Sequence, residues 1–100
     1  MSLPRFYVKI DTSIKYMTDK VHQELEQALK QIHRPKAVTV LASGQAIEVA
    51  LKISNEICKR FPNGLHRTTN SYLHLTDTGE SLQQENIIDK EKLSWLLRGD

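Results

Sequence analysis

The stretch VTVLASGQAIEVALKISNEI, Val38 to Ile57, changes its hydrophobic period halfway along. Ala37 to Ala42 is apolar at nearly every position, as in a short strand covered well on at least one face. Ser43-Gly44 breaks the run. From Gln45 to Arg60 the apolar residues recur at helical spacing, at Ala46, Val49, Ala50, Ile53 and Ile57, with a second row at Ile47, Leu51 and Cys58. That stripe is wider than one sheet face requires, so part of the helix is expected to touch a second chain.

The same alternation of elements continues on both sides of this stretch. Phe6 to Ile10 is short and rich in aromatic and β-branched residues, which predicts a first strand. Asp11, Thr12 and Ser13 follow it and are good acceptors for the free N–H groups of a helix start. Ile14, Met17, Val21, Leu25, Ala28, Leu29 and Ile32 then recur at steps of three and four, an amphipathic helix of about five turns. His33-Arg34-Pro35-Lys36 ends it, because proline cannot continue the hydrogen-bonding ladder. Downstream, Phe61-Pro-Asn-Gly64 stops the second helix. Leu65 to Asp77 predicts a third strand, with Leu73 and Leu75 on one face and Tyr72, His74 and Thr76 on the other. Residues 79–91 form a polar stretch, read as a loop or hairpin arm. Leu93 to Arg98 carries two signals: Leu93, Trp95 and Leu97 alternate as in a strand, while Asp89 could cap a short helix. The alternation favours a fourth strand. The order βαβαβ(β) implies an α/β fold, with two helices on one face of a four-stranded mixed sheet.

A chain of 100 residues is expected to form a single domain, because it can enclose one core but not two. Its 39% apolar and 26% charged residues are ordinary for a globular chain and exclude a fibrous or disordered one. No apolar run is long enough for a membrane span, and the first residues lack a signal-peptide core, so an intracellular place, nucleus or cytoplasm, is expected. Cys58 is the single cysteine, which excludes an internal disulfide and a multi-thiolate metal site. The net charge of +2 is too small for a protein that holds nucleic acid unaided through many phosphate contacts.

Candidate chemistry centres on the glycine turn. Gly44 lets the backbone approach a ligand, and the free N–H groups at the following helix start suit a phosphate. Ser43 and Gln45 add neutral hydrogen-bonding groups, and Lys15 supplies charge near the first helix start. Lys9 and Lys20 are weaker candidates, since scattered lysines usually only solvate a face. Tyr7, Tyr16 and Tyr72 could stack on unpaired bases, but core or interface packing is the commoner use of such residues. His22, His33, His66 and His74 show no paired metal-ligand spacing, and there is no nucleophile elbow, P-loop or GxGxxG. Neither a metal, a cofactor nor an active site is expected.

The order of elements and the segment Val38 to Ile57 together resemble the Alba superfamily of DNA- and RNA-binding proteins, over roughly Phe6 to Asp77. Tyr7 to Ile10 and Thr69 to Asp77 look more like the eukaryotic branch, in particular the smaller Alba-type subunit of ribonuclease P and ribonuclease MRP. The resemblance implies a βαβαββ two-layer fold and a dimer, formed with itself or with a related Alba-like chain. It also implies nucleic-acid contact, RNA with DNA possible, through Ser13 and Lys15, through Ser43, Gly44 and Gln45, and through the hairpin joining the last two strands. Arg67, near the start of the third strand, joins this set. Ile53, Ile57 and Phe61, with Leu73 and Leu75, are the implied dimer contacts. Many DNA-binding members carry arginine or lysine on both sides of the glycine and early in the second helix. Here those places hold Ser43, Gln45 and Glu48, so a non-catalytic subunit that borrows basic surface from a partner is expected. The alternative is a dimerisation scaffold without direct nucleic-acid contact.

Overall fold

A computed structural model describes residues 4–31, 37–61, 65–77 and 79–89. The elements run β1 (Arg5–Val8), α1 (Ile14–Lys30), β2 (Ala37–Ser43), α2 (Ala46–Lys59), β3 (His66–Thr76) and β4 (Gly79–Asp89). The strands form one sheet in the order β1-β2-β4-β3. β1 and β2 are parallel, while β4 is antiparallel to both its neighbours, so the sheet is mixed. This is the expected α/β class with two helices and four strands.

Alternation along β2 shows why it reads as a continuous apolar run. Val38, Val40 and Ala42 join the core beneath the helices, and Ala37, Thr39 and Leu41 on the other face are also buried. Against the first row pack Val21 and Leu25 of α1 and Ala46, Ala50, Ile53 and Ile57 of α2. Ile53 and Ile57 have no exposed surface, which corrects their assignment to a dimer contact: a side chain sealed inside its own chain cannot touch another. Phe61 packs at the edge of the same core, its ring 5.2 Å from that of His22.

The fourth strand corrects a second expectation. The polar stretch Gly79 to Asp89, expected as a loop or hairpin arm, is itself a strand, and the expected strand Leu93 to Arg98 lies outside the described residues. That stretch is a hairpin arm, paired with β3 from Thr76↔Gly79 to His66↔Asp89. A polar sequence holds an interior strand because its side chains satisfy one another. Asn86, fully buried, accepts from Thr69 Oγ1 at 2.8 Å and donates to Gln84 Oε1 at 3.2 Å. Gln84 in turn donates to Ser71 Oγ at 3.5 Å. Leu82, Ile87 and Ile88 are its apolar residues.

β2 ends at Ser43↔Gln83, so the part of the hairpin from Leu73 and Leu82 to the tip extends past it. Leu73 and Leu82 pair across this projection, and Leu73, Leu75 and Leu82 are all exposed. No helix among the described residues is long and apolar enough to cross a membrane.

Candidate nucleic-acid interface

Parallel pairing sets the site. Because Val8 lies beside Ala42, the β1–α1 and β2–α2 connections leave the same end of the sheet. At the first, Thr12 N–H donates to Lys9 O at 3.1 Å and Lys9 N–H donates to Thr12 Oγ1 at 2.8 Å, closing a compact turn. Ser13 is the N-cap of α1 and accepts from Tyr16 N–H at 3.2 Å. At the second, Gly44 has φ +56°, a left-handed conformation that side chains other than glycine adopt only with strain. A Cβ placed there would meet nothing within 4 Å, so the backbone angle and not crowding selects glycine.

Gly44 N–H does not point to a free ligand site. It donates to Leu82 O at 2.8 Å, and Gly44 O accepts from Ile47 N–H at 3.1 Å. The expected role of the Gly44 amide is thereby corrected, and the available donors shift one place on, to Gln45 and the first turn of α2. Gln45, the N-cap residue, makes no side-chain capping bond, which leaves its amide group for other partners. Glu48 stands exposed in that first turn, where it complements the helix dipole and opposes an approaching phosphate.

The expected site residues divide into three places. A cleft of about 540 Å³ gathers Lys9, Ser43 and Gln45 with Tyr7, Tyr72 and Gln83. Lys15 lies instead on a second cleft, of about 660 Å³, between the helices, beside Lys52, Lys59 and Arg60. In that cleft Arg60 is paired with Asp19 at 2.9 Å and Lys59 with Glu56 at 3.5 Å. Arg67 is not part of either group. It pairs through Ile88 with Val38, five residues from Ser43 along β2, or about 17 Å at strand rise. Its guanidinium donates to Asn55 Oδ1 on α2.

Sequence reasoning undervalued Lys9 and passed over Lys52, since their neighbours come from other elements. Of the core or interface packing expected for the tyrosines, the core is ruled out, because Tyr7, Tyr16 and Tyr72 are exposed. Lys20 Nζ sits 5.3 Å from the Tyr16 ring and the Arg5 guanidinium 5.9 Å from that of Tyr7, cation–π contacts that leave one ring face open. Cys58 is half-buried, and burial pushes its thiol pKa up, partly offset by the nearby Arg67 charge. Among the described residues no group of His, Cys, Asp and Glu side chains is arranged to hold a metal.

No protein-family profile matches the chain, and no curated protein does. Among solved structures it is similar to "Alba from Thermoplasma volcanium", at 10% sequence identity and a TM-score of 0.62, over 85% of this chain and 98% of that one. At that identity the likeness speaks for the backbone arrangement and not for chemistry. The chain therefore has an Alba-like α/β fold.

Proposed function

We propose that the chain is a non-catalytic nucleic-acid-binding subunit that acts as one half of a dimer and helps hold structured RNA in a ribonucleoprotein. The observation that carries this reading is the convergence of Lys9, Ser43 and Gln45 at the sheet end from which both helix-leading turns depart. Helix-start amides, one lysine and neutral hydrogen-bonding side chains are the groups that position a sugar-phosphate backbone. The Alba-like fold supports the same class of ligand. The net charge of +2 makes the contact a shared one, with a second chain, either a copy or a related Alba-like protein, supplying further basic surface. Leu73, Leu75 and Leu82 on the projecting hairpin are apolar surface suited to that second chain. An RNA-processing particle of the ribonuclease P/MRP kind is the specific setting we favour, with RNA before DNA.

The test is co-purification from cells, followed by a salt titration of RNA binding by the recovered complex. Binding that weakens log-linearly with salt is expected. Absence of RNA affinity at low salt, with the partner present, would overturn the reading. A scaffold that only dimerises is the second reading, favoured by the exposed leucines and by Glu48. It gains if Lys9→Glu combined with Gln45→Ala leaves RNA association unchanged.

A further inference from the structure

We propose that the cleft between Tyr7 and Tyr72 holds unpaired nucleobases, so that the ligand of this site is a single-stranded segment. This rests on the nucleic-acid reading above and narrows it. Tyr7 is 65% exposed and Tyr72 43% exposed, a large aromatic area left in water beside a concave surface. Both lie on the sheet face opposite the helices, since Val8 beside Tyr7 is a core residue and Tyr72 is in register with Gln83 and Ser43. Tyr7 stands on β1 and Tyr72 on β3, the two edge strands. Three strand spacings separate them, about 14 Å, which gives room for a short run of stacked bases and not for a double helix.

The lining fits the edges of bases. Among the described residues, Lys9 is the one charged side chain of the cleft. Gln45 and Gln83 each offer a carbonyl acceptor and an amide donor, the pair of functions that unpaired base edges present. A free phosphate or an acidic peptide would call for more than one cation. A stacking ligand does not, and this accounts for a binding surface on a chain with so little excess charge. Arg5 covers one side of the Tyr7 ring, which holds the ring in place and leaves the other side to a base. The cleft also lies at the carboxyl ends of β1 and β2, where open α/β sheets commonly take ligands.

The experiment measures binding of the 100-residue chain, alone and in the complex recovered with its partner, at low salt to a short labelled oligouridylate and to an RNA duplex of equal length, by fluorescence anisotropy. Tyr7→Ala combined with Tyr72→Ala is expected to weaken oligouridylate binding about tenfold or more, with duplex binding changed less than about twofold. Tyr7→Phe and Tyr72→Phe keep the ring and should retain single-strand affinity. Gln83→Glu removes the donor without removing bulk, and provides an independent reading if the alanine pair lowers stability. Unchanged single-strand binding in both the alanine pair and Gln83→Glu overturns this inference and leaves nucleic-acid binding intact. If the alanine pair abolishes association with the partner chain and leaves RNA binding unaltered, the cleft is a protein contact and the inference also falls. Loss of all RNA binding by the wild-type chain and its complex defeats the functional reading itself.

Discussion

Gly44 donates its backbone N–H to the carbonyl of Leu82 at 2.8 Å, joining the β2–α2 turn to the projecting β3–β4 hairpin. The bond continues the β2–β4 ladder one step beyond Ser43↔Gln83. It makes the turn and the hairpin one structural unit, so a ligand or partner that engages either is mechanically linked to the other.

Substitution at Gly44 tests the source of its requirement. With φ +56° and open space where a side chain would stand, Gly44→Val should cost about 1–2 kcal/mol through backbone strain alone. Gly44→Asn should cost less, because asparagine tolerates the left-handed region. Urea unfolding of the wild type and the two variants checks the order, and equal stabilities would contradict it.

The two classes of apolar residue should separate cleanly. Ile53→Ala or Ile57→Ala removes a fully buried side chain and should destabilise the fold by about 2–5 kcal/mol. Leu75, 78% exposed, should tolerate Leu75→Ser with a change within about 0.5 kcal/mol. Chemical denaturation measures both, and analytical ultracentrifugation of Leu73→Ser/Leu75→Ser reports whether these leucines hold a second chain.

Ser13→Ala deletes the acceptor of Tyr16 N–H at the start of α1. A loss of about 1 kcal/mol is expected, recovered by Ser13→Asp, which caps as well and adds a favourable charge at the helix N-terminus. Thermal unfolding followed by circular dichroism provides the measurement.

Cys58 should react slowly with iodoacetamide at neutral pH and require a pH above the ordinary thiol range, since burial disfavours its thiolate. Arg67→Ala should raise the midpoint further by removing the opposing charge. Because the folded-state pKa is raised, the thiol's contribution to stability is complete below the unfolded thiol pKa. It is lost as pH rises from there through the folded value. A midpoint that falls in Arg67→Ala would contradict this account.

For the proposed RNA contact, Lys9→Ala should weaken binding and reduce the magnitude of the salt slope by about 0.7–0.9. Arg67→Ala should change it less, given its bond to Asn55 and its distance from the Gly44 turn. The reverse ranking in a salt titration would move the interface to the β3 end of the sheet.

The sequence by itself determined the β2–α2 unit, the start of α1 at Ser13, the third strand and the α/β class, because period, capping and turn chemistry are local. Ala37 to Ala42 and the stripe through Ile53 carry their burial in their own spacing. The tertiary structure alone decided that Gly79 to Asp89 is an inner strand, since Asn86 and Gln84 find Thr69 and Ser71 only through strand register. It also decided that Lys9 joins the glycine turn while Arg67 does not, and that Tyr7 and Tyr72 flank one cleft. Each of these depends on which strands lie side by side, and pairing between residues distant in the chain leaves little trace in local hydrophobic pattern.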